Sequence, residues 1–260
     1  MIRGLFFDVD GTLVSFQNRV VSEQVREDLL TLRARGMKLF LATGRSRQDL
    51  ARTQMLRDLV FDGYITLNGQ CCFNGREIYR DVPICREDLE AGCAVLREHP
   101  QFQAMLAGDG FSYLTGVNDR VRAVFDHLHT DLYPVRSPEE LLDEKIYQFI
   151  PLVTGEEEAL FLSRMTHCTY TRWHPMGIDI LPQGRGKADG IQATLDYYGL
   201  ERSEIAAFGD GHNDLTMLNL AGYSVAMGNG SHEVKAVADY ITGTVEEDGI
   251  SAALRHMHLL

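Results

Sequence analysis

The sequence predicts an α/β fold in which a parallel β-sheet is covered by helices and is interrupted by a smaller α+β insert. The first 70 residues and the last third both alternate short, continuously apolar strands with helices. Such strands are typical of parallel sheets that are covered on both faces. Between about residues 83 and 182 the pattern changes to neighbouring strands with helices that would lie on one face, which predicts an antiparallel sheet.

The first core region begins with an apolar strand at residues 2–9. Ser22 then starts a helix with Val25 and Leu29 on its apolar face, and Gly36 follows where a helix favours a left-handed residue. The remaining predicted elements are a strand at 37–42, a helix that ends near residue 59 and a strand at 64–67.

Within the insert, a capping box that begins at Ser137, with Pro138 at the first helical position, predicts the start of a helix. Its other predicted helices lie at 86–98, 117–128 and 156–165. Its predicted strands lie at 103–107, 111–114, 145–153, 168–173 and 177–181.

The last region returns to the core pattern, with a helix at 187–198 that Gly199 closes. Strands are expected at 204–208, 223–227 and 240–242, and short helices at 214–219 and 231–238. We therefore expect a Rossmann-like core at 1–82 and 183–260, with an inserted domain at 83–182. Such an insert should cover the carboxyl edge of the sheet, where open α/β proteins bind ligands.

Composition narrows the class of protein. The 260 residues are 45% hydrophobic and 24% charged, as in globular domains, and no apolar run approaches the roughly 20 residues of a membrane span. No signal-peptide pattern is present, so we expect a cytoplasmic protein. The net charge of −12 argues against a nucleic-acid partner. The net charge does not argue against a small phosphorylated substrate, which needs only local positive charge. The sequence does not indicate the oligomeric state.

The sequence contains five cysteines, an odd number, and no two of them have the C-x-x-C spacing. We expect buried, reduced thiols rather than disulfides or a zinc site.

Two acids, Asp8 and Asp10, stand at the end of the first strand. Side chains two residues apart in a strand point to one face. Two neighbouring carboxylates raise each other's pKa unless a cation lies between them. The pair is therefore either an acidic turn or a functional site.

The parallel order of the strands would bring further polar residues to the same edge. These are Thr43 after the second strand, Lys187 at a helix start, and the run after residue 209 with Asp210, Asn213 and Asp214. Clustered carboxylates without matching arginines favour a hard cation, and Mg²⁺ also contacts substrate phosphates. One aspartate could then act as nucleophile and the other could transfer protons.

Three other phosphate- and metal-binding motifs fail on spacing. An EF-hand loop needs glycine at its sixth position, where Leu13 and Leu215 stand. A Walker A loop is excluded because Leu181 occupies its first glycine position and Ala188 follows the lysine. The dinucleotide fingerprint is broken at Asp214 and lies too late in the fold.

The sequence resembles the haloacid dehalogenase-like superfamily, in its Cof-type branch of phosphatases with an inserted α/β cap. The matching stretches are DVDGT (8–12), ATGR (42–45), LNG (67–69), GK (186–187), FGDGHNDLTML (208–218), VAMGNG (225–230) and EDG (247–249). They cover both halves of the core, whereas the cap matches only in position and general pattern.

The resemblance implies a catalytic and a metal-binding set. Asp8 would be the nucleophile that becomes an aspartyl-phosphate, and Asp10 the general acid and base. Asp8, the backbone carbonyl of Asp10, and Asp210 would bind Mg²⁺. An acid at the position of Asp10 implies hydrolysis of phosphate esters, because an alkoxide needs a proton to leave and a halide does not.

The resemblance also implies the residues that hold the phosphoryl group, which are Thr43, Gly44, Lys187 and Asn213, with Asp214 supporting the metal ligands or Lys187. Three of these residues have a simpler alternative when taken alone. Thr43 and Asp214 could be helix caps, and Lys187 could be a solvated helix residue.

The expected activity is Mg²⁺-dependent hydrolysis of a small phosphorylated metabolite, with a sugar phosphate favoured. A phosphomutase similar to the phosphomannomutases, or a non-catalytic module that binds phosphorylated metabolites, are the alternatives. Trp173, His174 and Met176 could stack on a substrate or simply pack within the cap. Arg45 and Arg47 could guide an anion or pair with nearby acids.

Overall fold

The computed structural model describes residues 1–52, 54–128, 130–184 and 186–260. The chain divides into two compact units. The core unit comprises the described residues of 1–45, 49–81 and 185–260, and the insert unit comprises the described residues of 46–48 and 82–184.

The described residues form these strands: β1 (Gly4–Phe7), β2 (Lys38–Ala42), β3 (Gly63–Thr66), β4 (Cys71–Phe73), β5 (Ile78–Asp81), β6 (Ala104–Ala107), β7 (Ser112–Leu114), β8 (Gln148–Pro151), β9 (Cys168–His174), β10 (Gly177–Pro182), β11 (Ile205–Gly209), β12 (Tyr223–Ala226) and β13 (Tyr240–Ile241). The α-helices are α1 (Glu23–Ala34), α2 (Arg47–Arg52), α3 (Arg86–Glu98), α4 (Asp119–Leu128), α5 (Pro138–Leu141), α6 (Ala159–Leu162), α7 (Lys187–Tyr198), α8 (Leu215–Leu220), α9 (His232–Val237) and α10 (Gly249–His256).

The core unit contains one sheet in the order β13-β12-β11-β1-β2-β3-β4-β5. The neighbouring strands from β13 to β3 pair in parallel. β4 pairs antiparallel with β3 on one side and with β5 on the other. The predicted α/β class with a parallel core sheet is confirmed. The hairpin of β4 and β5 was not predicted, although its Asn74-Gly75 turn is a recognisable hairpin signal.

Both faces of the core sheet are buried, which explains the continuously apolar strands. On one face Phe6 of β1 stacks on Phe40 of β2, with ring centroids 4.5 Å apart. On the other face Phe7 of β1 stacks on Phe208 of β11 at 4.8 Å. These side chains belong to separate clusters of buried residues on the two faces, so successive residues of one strand stabilise opposite layers.

The insert unit contains an antiparallel sheet in the order β7-β6-β8-β10-β9. Phe149 of β8 and Ile180 of β10 pack with Leu89 of α3 and Phe161 of α6 in one buried cluster. The predicted α+β character of the insert is therefore confirmed.

Several predicted helices are shorter than expected. The helix expected to reach residue 59 is α2 followed by a 3₁₀ turn at Gln54–Leu56, and Thr53 lies outside the described residues. The helix expected at 156–165 is reduced to α6, and α10 was not predicted. Among the described residues, no helix combines the length and the apolar character that crossing a membrane requires.

The five cysteines are free, and Cys71, Cys72 and Cys93 are buried as expected. The expectation of burial is wrong for Cys85, which is exposed, and for Cys168, which is partly exposed.

Candidate active site

The parallel register places three polar residues at the ends of adjacent strands in the core unit. Phe7 pairs with Phe208 of β11 and with Leu41 of β2, so these strands end at nearly the same level. Asp8 follows β1 directly, and its N–H donates to the carbonyl of Phe208 at 3.0 Å. Thr43 and Asp210 follow β2 and β11 in the same way.

Lys187 lies between two of the acids. It begins α7, is fully buried, and donates from Nζ to Asp8 Oδ1 and to Asp214 Oδ1, the latter at 2.6 Å. Burial alone would lower the pKa of Lys187, but the carboxylates of Asp214 and Asp8 outweigh burial and hold the pKa above its usual value. The side chain is therefore a buried cation in the acidic cluster and not a solvated helix residue.

Asp214 uses both of its carboxylate oxygens inside the protein. Oδ1 accepts from Lys187, and Oδ2 accepts from the backbone N–H groups of Asp210 and Gly211, each at 2.9 Å. Its side chain makes no capping bond to α8. Asp214 therefore fixes the loop that carries Asp210 and orients the lysine.

Asp210 is held by the loop that follows β1. Thr12 donates from Oγ1 to Asp210 Oδ1 at 2.9 Å, and Asn229 donates from Nδ2 to the carbonyl of Gly11 at 2.8 Å. Gly11 has φ +85°, and a Cβ there would lie 2.2 Å from Asp210 Oδ2. Both the backbone conformation and the close approach of the carboxylate require glycine at this position.

Three acids converge around this point. Asp8, Asp210 and Asp214 each offer a carboxylate oxygen, and these oxygens all lie within 4.8 Å of one another. Burial raises the pKa of Asp8 well above its usual value; Lys187 opposes this rise, and the neighbouring acids add to it. Burial, together with Asp214, raises the pKa of Asp210 to about 7. The single positive charge of Lys187 therefore does not balance the three carboxyl groups of this cluster.

The chemistry of this cluster fits a divalent cation with oxygen ligands. Asp8 and Asp210 are the better candidates for direct ligands. Asp214 accepts from the Lys187 ammonium and from two backbone N–H groups, whereas Asp210 accepts from the Thr12 hydroxyl and, at 3.4 Å, from Asn229. Mg²⁺ is commonly bound by one or two carboxylates together with water and substrate phosphate. A cation here would also offset the burial and the repulsion between acids that together raise both pKa values.

Asp10 lies in different surroundings from Asp8. Arg45 donates from Nε to Asp10 Oδ2 at 2.7 Å and from a second guanidinium nitrogen to Asp10 Oδ1 at 2.8 Å. Both carboxylate oxygens therefore accept from one arginine. Sequence reasoning considered pairing for Arg45 without identifying Asp10 as its partner, since the two residues are far apart in the chain.

Asn68 is a site residue that sequence reasoning missed. Its N–H donates to the carbonyl of Thr43 at 3.0 Å, and Asn213 Nδ2 donates to Asn68 Oδ1 at 3.1 Å. A Cβ on Gly44 would lie 3.3 Å from the Asn68 amide group. Asn68 thus brings together the expected phosphate-binding residues Thr43, Gly44 and Asn213. The LNG match was the signal that could have indicated this role.

Thr43 itself is buried, and its Oγ1 accepts from the N–H of Arg45 at 3.1 Å. This bond fixes the turn after β2. A threonine hydroxyl that accepts from the backbone N–H two residues later is a common way to stabilise a turn.

The Trp173–His174 segment makes local contacts in the insert unit. The two rings lie 5.5 Å apart, and His174 Nδ1 accepts from the N–H of Met176 at 3.1 Å. Met176 packs against the apolar cluster that includes Val121. Arg47 pairs with Asp109 at 3.0 Å.

The comparisons with known proteins decide the family. The sequence profile of the haloacid dehalogenase-like hydrolases matches residues 5–254. The chain belongs to this family. The expected superfamily and its Cof-type branch are therefore confirmed.

Full-length relatives agree with this haloacid dehalogenase-like assignment. YkrA of Bacillus subtilis (strain 168) is 30% identical over 257 residues, which are 98% of each chain. The structure of BT4131, named a sugar phosphatase of subclass IIB, is 36% identical, covers 99% of this chain and 100% of its own, and has a TM-score of 0.88. YbjI of Escherichia coli (strain K12), named a 5-amino-6-(5-phospho-D-ribitylamino)uracil phosphatase, is 25% identical over 96% of this chain and 93% of its own. The chain is a phosphoric monoester hydrolase.

Proposed function

We propose that this haloacid dehalogenase-like protein is a Mg²⁺-dependent phosphatase that hydrolyses a small phosphorylated metabolite through an aspartyl-phosphate on Asp8. The observation that carries the proposal is the buried carboxylate of Asp8, held by Lys187 among two further acids. A nucleophile in such surroundings needs fixed cations to stay ionised and to accept a phosphoryl group.

Asp8 would attack phosphorus with the carboxylate oxygen that is not bonded to Lys187. Lys187 holds Oδ1 and so fixes the orientation of the carboxylate. As the new bond to phosphorus forms, the bond between phosphorus and the leaving oxygen breaks. Lys187, together with Thr43, Gly44 and Asn213, would bind the phosphoryl oxygens during this transfer.

Asp10 would supply and recover the proton. In the first step it protonates the leaving oxygen, and in the second it takes a proton from the water that attacks the phosphorus of the aspartyl-phosphate. Inorganic phosphate leaves, and Asp8 is restored. Both oxygens of Asp10 accept from Arg45 in this structure, so Asp10 must carry the proton on a lone pair that Arg45 does not use, or one of these bonds must open.

Asp8, Asp210 and the backbone carbonyl of Asp10 would hold Mg²⁺, with Asp214 as the supporting residue. The bound ion would supply positive charge that neutralises the carboxylates and the phosphoryl oxygens. Thr12 and Asn229 would keep Asp210 in place for this role, as their hydrogen bonds do here.

A sugar phosphate is the substrate class that we favour. The name of BT4131 describes a sugar phosphatase, and the name of YbjI describes a substrate that carries a phosphorylated ribityl chain. Both names therefore place the phosphate on a polyhydroxylated carbon chain. We propose that the substrate of this protein also carries its phosphate on such a chain, without assigning either named substrate to it.

The test measures release of p-nitrophenolate from para-nitrophenyl phosphate by the whole chain, with Mg²⁺ and with a chelator. We expect Mg²⁺-dependent turnover that Asp8→Asn abolishes. Asp58→Asn, which changes an exposed acid paired with Arg26, is the control and should keep full activity. Equal turnover with and without Mg²⁺, or full activity of Asp8→Asn, would reject the proposal.

A phosphomutase would use the same residues to return the phosphoryl group to a sugar. Incubation with a hexose phosphate separates the two activities, since hydrolysis yields inorganic phosphate and a mutase yields an isomer. We expect inorganic phosphate.

A further inference from the structure

A second group of metal-binding side chains lies in the insert unit, where α3 begins and β9 begins. Cys85, Asp88 and His167 each offer one ligand atom, and these atoms lie within 4.8 Å of one another. Cys168 lies beside this group, where its Sγ donates to Asp88 Oδ2 at 3.1 Å. We propose that Cys85, Asp88, His167 and Cys168 form a structural zinc site.

The distances suit a tetrahedral ion. Cys85 Sγ lies 3.9 Å from His167 Nδ1, and His167 Nδ1 lies 3.2 Å from Asp88 Oδ1. Ligand atoms about 2.0–2.3 Å from a tetrahedral zinc ion lie roughly 3.3–3.8 Å from each other. Cys85 Sγ, Asp88 Oδ1 and His167 Nδ1 are therefore spaced close to the ligands of a tetrahedral ion. Cys168 Sγ, which contacts Asp88 Oδ2, would have to turn away from that oxygen to take the fourth position.

The protein already orients the central ligand. Asp88 is buried, with 1% of its side chain exposed, and its Oδ2 accepts from the backbone N–H of His167 at 2.9 Å. That bond can persist while Oδ1 binds the ion. Hydrogen bonds of this kind fix the orientation of metal ligands in known sites.

The ligand types select zinc rather than the Mg²⁺ proposed for the core unit. Thiolate and imidazole ligands favour Zn²⁺, whereas the acids beside Lys187 offer oxygen alone. Binding would release the thiol protons of Cys85 and Cys168 to solvent. His167 is exposed, with 60% of its side chain accessible, so the ion has a path to the site.

The site would cross-link two distant parts of the chain. Cys85 and Asp88 lie at the start of α3, and His167 and Cys168 lie 79 or more residues later, at the start of β9. Four protein ligands without an open position are typical of structural zinc sites. The expected result is a more stable insert unit rather than a second reaction.

The alternative is a network of hydrogen bonds without metal. Asp88 accepts from the backbone and the ring of His167 and from the Cys168 thiol, so its carboxylate is satisfied as it stands. The two arrangements differ in one measurable property, which is thiolate ligation of an added ion.

The experiment titrates the reduced whole chain with Co²⁺ and then with Zn²⁺, in millimolar Mg²⁺ to occupy the oxygen site. A reductant that contains no thiol keeps the cysteines free. We expect one equivalent of Co²⁺ to give a thiolate-to-cobalt charge-transfer band in the near ultraviolet, and Zn²⁺ to displace it. Zinc should also raise the melting temperature.

Variants locate the ion. Cys85→Ser and Cys168→Ser should each weaken zinc binding by about 100-fold or more, since even changes to residues that only support metal ligands cost about 10–100-fold. Cys93→Ala is the matched control, because Cys93 is a buried cysteine of the same helix α3 and lies outside the cluster. It should keep the band.

Three outcomes would overturn the proposal. They are Co²⁺ binding without the charge-transfer band, a band that survives both serine variants unchanged, and a band lost only in Cys93→Ala. Phosphatase activity plays no part in these readouts, so the proposal stands or falls independently of the proposed reaction.

Discussion

Asp8 and Asp10 lie two residues apart, yet different cations hold them. Lys187 reaches Asp8 from the start of α7, and Arg45 reaches Asp10 from the loop after β2. A fully buried lysine is stable only with such partners, because removing one partner of a buried pair costs about 3–5 kcal/mol. The two aspartates therefore have different electrostatic surroundings, as the proposed roles of nucleophile and proton carrier require.

The role of Asp10 can be separated from that of Asp8 by the choice of leaving group. In Asp10→Asn we expect a rapid burst of about one equivalent of p-nitrophenolate from para-nitrophenyl phosphate, followed by turnover slowed by about 10²–10⁴-fold. The first step survives because p-nitrophenolate leaves without a proton, and the second fails because no base activates water. Stopped-flow absorbance measures both phases.

With a sugar phosphate, Asp10→Asn should show no burst of free sugar, because an alkoxide needs the proton. A burst of equal size with both substrates, or wild-type turnover, would contradict the assignment of Asp10 as acid and base.

The sequence predicted the group of acids and offered Lys187 as a partner of Asp214, but it did not predict the partner of Asp10. The spacing of Asp8 and Asp10 places them on one strand end, and strand order predicts Asp210 nearby. Nothing in local spacing identifies Arg45 as the partner of Asp10, or Asn68 as the link to Asn213, since these contacts join loops that meet only after folding.

Among the elements, the loop after β1 makes a close contact with Asp210. Gly11 has positive φ, and a Cβ at this position would collide with the Asp210 carboxylate. The same carboxylate accepts hydrogen bonds from Thr12 and Asn229. The loop therefore sets the position of an expected metal ligand that comes from β11.

Gly11→Ala tests this element, with Gly36→Ala as a matched control. Both glycines have φ near +90°, so Gly36→Ala should lower the free energy of unfolding by about 1–2 kcal/mol, and Gly11→Ala by at least as much. Only Gly11 is crowded, because nothing lies within 4 Å of a Cβ at Gly36. Gly11→Ala should also reduce activity by roughly 100-fold by displacing Asp210.

Urea denaturation and Mg²⁺-dependent turnover of both variants provide the comparison. Equal activity in the two variants would show that the close approach of Gly11 to Asp210 does not matter for function.

Elements with strong periodic patterns were predictable and short ones were not. The apolar runs of β1, β2 and β11 and the capped helix α1 predicted the core. The hairpin of β4 and β5 was missed because its strands have three and four residues and little alternation. Tertiary packing, and not local pattern, determines such elements.

For the molecule as a whole, we expect the acidic cluster to couple folding to pH and to metal binding. The raised pKa of Asp210, from its usual 3.8 to about 7, means that the folded metal-free protein binds more protons than the unfolded chain between these values. Its contribution to stability is fully present below about pH 4 and is lost as pH rises through about 7.

Asp210→Asn should therefore melt at a higher temperature than the wild type in chelator, and the difference should grow from about pH 5 to about pH 8. Mg²⁺ at the higher pH should stabilise the wild type and not the variant. Differential scanning calorimetry measures both. A difference that shrinks as pH rises would contradict the coupling.

The proposed function depends on Asp8 accepting a phosphoryl group within a cluster of acids that Mg²⁺ neutralises. The most direct measurement is rapid acid quench of Asp10→Asn mixed with para-nitrophenyl phosphate, followed by peptide mass spectrometry. We predict one phosphoryl group on the peptide that contains Asp8, present with Mg²⁺, absent with chelator and absent in the Asp8→Asn double variant. Release of p-nitrophenolate and inorganic phosphate in equal amounts, with no phosphorylated peptide at any time, would contradict the claim.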